Sequence, residues 1–244
     1  MIKLGIVDQF YAYNKKRRIP EYSRTRDPVS MIETVRKVNA DNRKAIVAEF
    51  KRGSPSGFDL GRKENPINYF ERIRSGLIAG FSVLTQPDFF LGDFADLSGV
   101  QSLNVPLLAK DFVGTQRMIE GCFNAGADVV LLISDFLQPS TIRELVDNAI
   151  ELGMEVLIEF HDSGRFPEIT EPDSIIIGYN RRNLRTMKIE EERKAMDLLL
   201  RYEGIKFIES GIGKADFARL NKLDCNAFLI GQSMLEGELV PGVA

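Results

Sequence analysis

The chain has 244 residues, of which 44% are apolar, and it carries a formal net charge of −3. This composition supports a sizeable core and excludes a disordered protein, while the charge gives no reason to expect nucleic acid as a partner. Its apolar runs fall short of the ~18 residues of a membrane helix, and the N-terminus lacks the apolar segment of a signal peptide. We therefore expect neither nucleic acid nor membrane as a partner.

The predicted elements begin with an N-terminal extension, residues 1–40, which contains a helix from Pro28 to about Val38. After it, short apolar runs bounded by Gly and Pro predict buried strands, and the segments between them show the three-and-four spacing of helices. Neighbouring strands are roughly 20 to 35 residues apart, about the length of one βα unit. The predicted strands are Ala45–Phe50, Phe81–Thr85, Val105–Lys110, Val129–Ile133, Val156–Phe160, Ser174–Tyr179, Lys206–Ser210 and Ala227–Gly231.

Eight strands that alternate with helices fit either a doubly wound open sheet or a closed (β/α)8 barrel. In an open sheet only the strands at the switch point carry functional side chains at their ends, whereas in a barrel all the carboxyl ends meet at one mouth. Here polar residues follow most of the strands, and no linker divides the chain. We predict an α/β fold, a (β/α)8 TIM barrel with an N-terminal helical extension, as a single domain over residues 1–244. The polar residues at strand ends are Glu49, Lys51, Lys110, Glu159, Asn180, Glu209 and Ser210.

Four of these positions suggest acid–base chemistry. Glu49 and Lys51 are two apart and share a face of the first strand, which indicates either a functional pair or a structural ion pair. Lys110 closes a buried strand and is either an acid or Schiff-base lysine or a surface lysine with a buried stem. Glu159 in an apolar mouth should have a raised pKa, suited to acid–base work, unless it only neutralises a lysine. Asn180 is followed by Arg182, and the two either hold a carboxylate or hydroxyl or are ordinary loop residues.

Two later segments are typical of phosphate sites. Glu209–Gly213 follows the seventh strand and Gly231–Ser233 follows the eighth, and small residues there let backbone N–H groups approach an anion. The alternative is a pair of ordinary glycine turns. Apolar residues at strand ends or in the following loops predict an aromatic-ligand pocket, unless they are simply core. These are Pro55, Phe89, Phe112, Leu131, Leu184 and Met187.

The remaining reactive residues give weaker signals. Cys122 and Cys225 form neither a disulfide framework nor a ligand cluster, which favours a reducing cytoplasm and no metal site. His161 is the single histidine and is interpreted as a plain loop residue. The basic run at 15–18 is interpreted as a solvated segment rather than a phosphate contact.

Eight segments, in the correct order, together resemble the indole-3-glycerol-phosphate synthases of tryptophan biosynthesis. They cover most of the barrel from Ile46 to Leu235. The segments are AEFKRGSPSG, SVLT with the following FFLG, LLAKDF, ADVVLLI, VLIEFHD, GYNRRNL, IESGI and FLIGQSML. Sister barrels such as phosphoribosylanthranilate isomerase share the phosphate loops but not the Glu-x-Lys and Lys-Asp-Phe strands.

The resemblance implies a phosphorylated small-molecule substrate, 1-(2-carboxyphenylamino)-1-deoxyribulose 5-phosphate, and closure of an indole ring with loss of carbon dioxide and water, without a cofactor. By position it makes Lys110 the general acid and Lys51 the second lysine, with Arg182 as a further candidate for the substrate carboxylate. The implied catalytic carboxylates and amide are Glu49, Glu159, Glu209 and Asn180. The implied phosphate ligands are Ser54, Ser210, Gly211, Gly231, Gln232 and Ser233, and the aryl ring would lie among Phe112, Leu131 and Leu184.

Two other functions compete with this one, a related phosphosugar isomerase and a catalytically silent barrel that acts as a binding subunit. An isomerase needs one acid–base pair rather than two lysines and three carboxylates, and a silent barrel would be favoured by a missing catalytic residue. Gly53, Asn183 and a short Gly/Pro-rich tail after Leu235, with Pro241 and Gly242, depart from the family pattern. We expect a monomer or a weak homodimer.

Overall fold

A closed barrel of parallel strands forms the centre of the molecule. The computed structural model describes residues 5–55, 57–61, 64–168 and 173–239. The strands are β1 Ala45–Phe50, β2 Ile78–Leu84, β3 Leu107–Lys110, β4 Val129–Ile133, β5 Glu155–Phe160, β6 Ile175–Asn180, β7 Ile205–Glu209 and β8 Ala227–Ile230. Within the described residues they pair in chain order, and β8 closes the barrel on β1. The predicted (β/α)8 barrel is confirmed.

The strand ends differ from the predicted ones by no more than three residues, the largest difference being at β2, which begins at Ile78 rather than Phe81. The third strand begins after Pro106 because proline has no N–H to give to a ladder. The seventh strand ends at Glu209 because Ser210 has φ +70°, which a strand does not allow.

Helices surround the barrel and extend it at the N-terminus. Their bounds are α1 Ile6–Asn14, α2 Met31–Asn39, α3 Pro66–Ile73, α4 Phe94–Gly99, α5 Gln116–Asn124, α6 Pro139–Glu151, α7 Arg193–Arg201, α8 Lys214–Leu220 and α9 Gln232–Leu235. Asn65 and Asp93 cap the N-termini of α3 and α4, because the side-chain oxygen of each accepts a backbone N–H of the first turn. None of the described helices is long and apolar enough to cross a membrane. Pro241 and Gly242 lie outside the described residues.

The helix predicted from Pro28 is α2, which begins three residues later at Met31. Ser30 caps it, since its hydroxyl oxygen accepts the N–H of Glu33. The carboxylate of Glu155, the first residue of β5, accepts the N–H groups of Met31 and Ile32 at 2.9 and 3.1 Å. This contact fixes α2 across the amino ends of the strands, away from the mouth.

The first helix, α1, was not predicted, and it lies beside the mouth. The ring of Phe10 packs against Phe112 with centroids 4.6 Å apart. The amide of Asn14 donates to Oδ1 of Asp111 at 2.8 Å, directly after β3. Arg17 follows in the same segment, and its guanidinium pairs with Oδ2 of Asp111 at 3.0 Å with 8% of the side chain exposed. The interpretation of the basic run as solvated is therefore wrong for Arg17.

Strand alternation divides the apolar core into two layers. Val47, Leu108 and Leu157 pack inside the barrel, whereas residues such as Ala48 and Ile158 pack beneath the helices. The next inward positions after these three residues, two further along each strand, are Glu49, Lys110 and Glu159. The interior layer of the core thus continues directly into charged side chains at the mouth.

Candidate active site

A cavity of about 330 Å³ opens at the carboxyl ends of the strands. Most of the residues predicted for the site line it. They are Glu49, Lys51, Ser54, Pro55, Lys110, Phe112, Leu131, Glu159, Asn180, Arg182, Leu184, Ser210, Gly211, Gly231, Gln232 and Ser233, and Met187 joins them. Glu209 is fully buried just behind this lining, in contact with Lys110.

Glu49 bridges the two lysines of the mouth. Its Oε1 lies 2.5 Å from Nζ of Lys51, and its Oε2 lies 3.3 Å from Nζ of Lys110. Burial alone would raise the pKa of Glu49, but the two ammonium groups outweigh it and lower the pKa to about 2. Glu49 is therefore ionised throughout the physiological range.

Lys110 lies at the centre of a cluster of three buried carboxylates. Its Nζ is 2.7 Å from Glu209, 3.3 Å from Glu49 and 3.7 Å from Glu159. Burial acts to lower the pKa of Lys110, but the facing carboxylates, Glu209 foremost, outweigh it and raise the pKa well above its usual value. Lys110 is thus an ammonium, and the hypothesis of a surface lysine does not fit its 13% exposed side chain.

Glu159 is the carboxyl group whose environment favours the neutral form. Burial first, and then the charge of Glu209, raise its pKa to about 8, although Lys110 and the amide of Asn180 act against the shift. Nδ2 of Asn180 donates to its Oε1 at 2.6 Å. In the described part of the chain, no group donates a hydrogen bond to Oε2 of Glu159 or to Oε1 of Glu209. A proton on Oε2 of Glu159 gives both of these buried oxygens a hydrogen-bond partner, because it can be donated to Glu209.

Register and two glycines bring these side chains together. Ile133 pairs with Glu159 and Asn180 pairs with Glu209, so neighbouring strands end at the same level. A Cβ on Gly178 would collide with the carboxylate of Glu209, and a Cβ on Gly231 would collide with that of Glu49. The glycines thus leave the space in which the carboxylates turn toward the lysines.

The turns after β7 and β8 form the side of the cavity that was predicted to hold phosphate. Ser210 and Gly211 have φ of +70° and +61°, both in the left-handed region. The hydroxyl of Ser233 donates to the carbonyl oxygen of Ile212 at 2.6 Å, which ties the two turns together. Gln232 lines the cavity while its amide donates to the carboxylate of Glu236, the residue after α9, at 2.9 Å.

The apolar side of the cavity is made by Phe112, Leu131, Leu184 and Pro55. Phe89 does not join them: its side chain is 53% exposed, and its neighbour Phe90 lines the cavity instead. Phe89 and Phe90 point in different directions, and the ring of Phe89 lies edge-on to that of Phe10 in α1, with centroids 5.8 Å apart. Gly53 is tied to the same turn, since its N–H donates to the carbonyl of Phe90 at 3.1 Å.

The loop after β6 positions Arg182. Its N–H donates to Oδ1 of Asn180 at 2.8 Å, and its guanidinium donates to the carbonyl of Met187 at 2.5 Å. Burial lowers the pKa of Arg182, and the charge of Glu49 partly restores it. Asn183 accepts the N–H groups of Arg185 and Thr186, so it shapes the loop itself.

Sequence reasoning missed three contributors. Asp111 lines the cavity directly after Lys110, and its place in the LLAKDF segment was the available signal. His161 is more than a plain loop residue, since its Nδ1 lies 2.8 Å from the carbonyl oxygen of Asn180 and therefore carries the proton. Arg181 is the third, and although strand alternation turns it away from the mouth, its side chain is only 4% exposed.

Comparison with known proteins identifies one family. The family model for indole-3-glycerol phosphate synthase matches residues 8–240. The chain is 42% identical over 237 residues to the indole-3-glycerol phosphate synthase of Picrophilus torridus, covering 96% of this chain and 94% of that relative. It is 37% identical over 230 residues to the enzyme of the same name from Thermoplasma volcanium, covering 94% and 93% of the two chains.

Solved structures of lower identity share the fold. A mutant tryptophan synthase α-subunit from Pyrococcus furiosus aligns with a TM-score of 0.55 and 15% identity, over 78% of this chain and 87% of that one. The 3-keto-L-gulonate-6-phosphate decarboxylase from Vibrio cholerae aligns with a TM-score of 0.55 and 16% identity, over 78% of this chain and 89% of that one. At such identities the likeness shows the barrel fold alone.

Proposed function

The chain belongs to the indole-3-glycerol phosphate synthase family, and from this we propose how its barrel mouth performs the family's reaction. That reaction closes the indole ring of 1-(2-carboxyphenylamino)-1-deoxyribulose 5-phosphate and releases carbon dioxide and water. The product is indole-3-glycerol phosphate, and the reaction is a carboxy-lyase step of tryptophan biosynthesis. We infer the role of each residue from the geometry of the described residues.

The strand order suggests how the substrate spans the mouth. The apolar side comes largely from β4 and from the loops after β3 and β6, with Leu131, Phe112 and Leu184 as examples. The left-handed turn at Ser210 and Gly211 follows β7, which is four strands from β3 and hence opposite it in an eight-stranded ring. The aryl ring would lie among the apolar side chains and the phosphate at the turns after β7 and β8. The ketone between them would then face Lys110.

Ring closure requires a proton on the ketone oxygen as the aryl carbon attacks the carbonyl carbon. The Lys110 ammonium supplies it, and its raised pKa suits an alkoxide, which is itself a strong base. Glu159 lies 3.7 Å away and is held neutral by burial, so it returns a proton to the Lys110 amine. This transfer leaves Glu159 as a carboxylate for the later step.

Decarboxylation needs the substrate carboxylate held beside the aryl carbon that bears it. Lys51 and Arg182 are the cations for this task, since both line the cavity. The carbon–carboxyl bond breaks with its electron pair returning to the ring, which restores aromaticity. Glu49 holds Lys51 in place through the 2.5 Å contact.

Dehydration completes the indole. The Glu159 carboxylate removes the ring proton while the hydroxyl group, protonated by Lys51 or Lys110, leaves as water. The amide of Asn180 orients Glu159 for this step through its 2.6 Å hydrogen bond. Glu159 ends protonated as it began, and one proton from solvent restores the lysine, so the turnover balances.

The observation that carries this proposal is the Lys110 ammonium surrounded by three buried carboxylates in the cavity. The test is fluorescence-monitored formation of indole-3-glycerol phosphate from the substrate by the purified chain. Lys110→Ala should retain substrate binding but less than about 1% of the turnover, since acid catalysis contributes roughly 10²–10⁴-fold. Lys51→Ala is assayed beside it, to separate the second lysine from the acid. Lys194→Ala, exposed on α7, is the control and should match the wild type.

Each outcome decides between the candidate functions. Product from the wild type and not from Lys110→Ala supports the proposal. Residual turnover above about 1% in Lys110→Ala would exclude Lys110 as the acid. Binding without product would favour a silent barrel, and neither binding nor product would exclude this substrate.

The proposal includes the cellular compartment and the oligomeric state of the enzyme. Cys122 and Cys225 are buried, free thiols, as suits a reducing cytoplasm. Among the described residues the large exposed apolar side chains are Tyr13, Phe89 and Ile189. A monomer or a weak homodimer fits this surface, because obligate interfaces are larger and more apolar.

A further inference from the structure

Arg181 lies between two cavity residues but belongs to a separate contact network. Asn180 and Arg182 line the cavity, and Arg181 points the other way and is 4% exposed. Its Nε and Nη2 donate to the carboxylates of Glu191 and Asp216, each at 2.6 Å. The guanidinium therefore connects the loop before α7 with the first turn of α8.

The same guanidinium holds two successive backbone carbonyls of the turn after β7. Nη1 donates to the carbonyl oxygen of Ser210 at 3.2 Å and to that of Gly211 at 2.9 Å. Both residues have positive φ, and for Ser210 this conformation is disfavoured by its Cβ. Two hydrogen bonds from one buried, planar donor offset that cost and fix the turn.

Holding the carbonyls also orients the N–H groups of the turn. In a trans peptide the C=O and the following N–H point in opposite directions, and the chain has no cis peptide among its described residues. The N–H groups of Gly211 and Ile212 therefore point away from Arg181. Both residues line the cavity, and no described group accepts a hydrogen bond from either N–H. Successive backbone N–H groups in a turn form a concave site for an anion.

The charge of Arg181 is not itself the attraction for an anion. Glu191 and Asp216 neutralise it, and Arg219 pairs with the same two carboxylates at 2.5 and 3.5 Å. Arg219 is 53% exposed and contacts neither turn carbonyl among the described hydrogen bonds. The two arginines share their acidic partners and differ in the carbonyl contacts.

We propose that Arg181 is a positioning residue for the substrate phosphate: it turns two peptide planes so that the N–H groups of Gly211 and Ile212 face the phosphate. This inference rests on the proposed function, since it assumes that the phosphate binds at the turn after β7. Arg181 touches no substrate atom, and its effect is confined to the phosphate end of the site.

The test compares the phosphorylated substrate with its dephosphorylated analogue. Arg181→Met keeps the buried stem but removes the donors, and it should raise KM for the phosphorylated substrate about 10- to 100-fold, as expected for hydrogen bonds to a charged group. Its kcat, and its kcat/KM for the dephosphorylated analogue, should stay within about threefold of the wild type. Arg181→Lys, which keeps a donor, should recover part of the loss.

Arg219→Met is the matched control, because it perturbs the same carboxylates without a carbonyl contact. It should leave KM for the phosphorylated substrate within about twofold of the wild type, because no contact that contributes to substrate binding is removed. Loss of activity toward both substrates in Arg181→Met would mean a general structural role and overturn the inference. An unchanged KM in a folded Arg181→Met would overturn it as well.

A separate measurement distinguishes failure of this inference from failure of the proposed function. If the wild type turns over neither substrate, the proposed function fails. Calorimetric titration with inorganic phosphate then decides the role of Arg181. Binding to the wild type that is at least about tenfold weaker in Arg181→Met supports it. Equal binding to both proteins, or no binding to the wild type, overturns it.

Discussion

Glu159→Gln should make the protein more stable at alkaline pH while removing its activity. Burial and the charge of Glu209 raise the pKa of Glu159 from 4.5 to about 8, so the folded protein keeps a proton that the unfolded chain gives up. The free energy of unfolding therefore falls as pH rises from about 4.5 to about 8. Glutamine mimics the neutral carboxyl, still accepts the hydrogen bond of Asn180, and has no charge to bury.

The size of the effect follows from the pKa values. One pKa unit corresponds to about 1.4 kcal/mol, so the variant should gain about 1 kcal/mol over the wild type at pH 5 and about 4 kcal/mol at pH 8. For a chain of this length each kcal/mol shifts Tm by roughly 2–4 °C. The difference in Tm between variant and wild type should therefore widen by roughly 6–12 °C from pH 5 to pH 8.

Thermal unfolding followed by circular dichroism at several pH values measures this difference. Glu144→Gln, at an exposed position of α6, is the control, and its Tm should follow that of the wild type at every pH. Turnover of Glu159→Gln should fall roughly 10²–10⁴-fold, because the amide neither gives nor takes a proton. A Tm difference that stays constant between pH 5 and pH 8 would refute the reasoning, since Glu159 would then not be neutral in the folded protein.

Two further results are expected. The wild-type kcat/KM should fall as pH rises through about 8, because the neutral form of Glu159 that reloads Lys110 is lost there; a rise through the same pH would instead make Glu159 an ionised base from the start. Gly231→Ala should lower kcat/KM at least about tenfold, since its Cβ would displace Glu49 from charged hydrogen bonds worth roughly 1.5–3 kcal/mol. Gly99→Ala, which meets open space on α4, is its control, and equal activity of the two variants would contradict the steric argument.

The barrel and most of the mouth could be predicted because strand alternation is a local rule. Apolar runs located each strand to within three residues, and the same alternation that turns Val47 inward also turns Glu49 toward the mouth. Loop side chains follow no such rule. Phe89 and Phe90 are adjacent and equally apolar, yet Phe89 is exposed and Phe90 lines the cavity.

Contacts between residues that are far apart in the sequence also could not be predicted from local patterns. Arg17 lies in a run of four basic residues that is typical of a solvated segment, and only the fold brings it to Asp111, 94 positions away. Strand alternation likewise predicts that Arg181 points outward. Its partners at 191, 210, 211 and 216 lie further along the chain, so only the fold brings them to it. The sequence therefore identified most of the side chains that line the mouth, and it missed Arg17 and Arg181, whose partners lie far along the chain.

The charge of the mouth links the proton on Glu159 to substrate binding. Lys51 and Lys110 face three carboxylates, so the five groups carry a net charge of −1 when Glu159 is ionised and 0 when it is neutral. The proposed substrate brings a carboxylate and a phosphate, and further negative charge raises the pKa of a buried carboxyl group. By linkage, the substrate then binds more tightly to the protein with neutral Glu159. The buried glutamate thus arrives at the reaction with the proton that ring closure consumes.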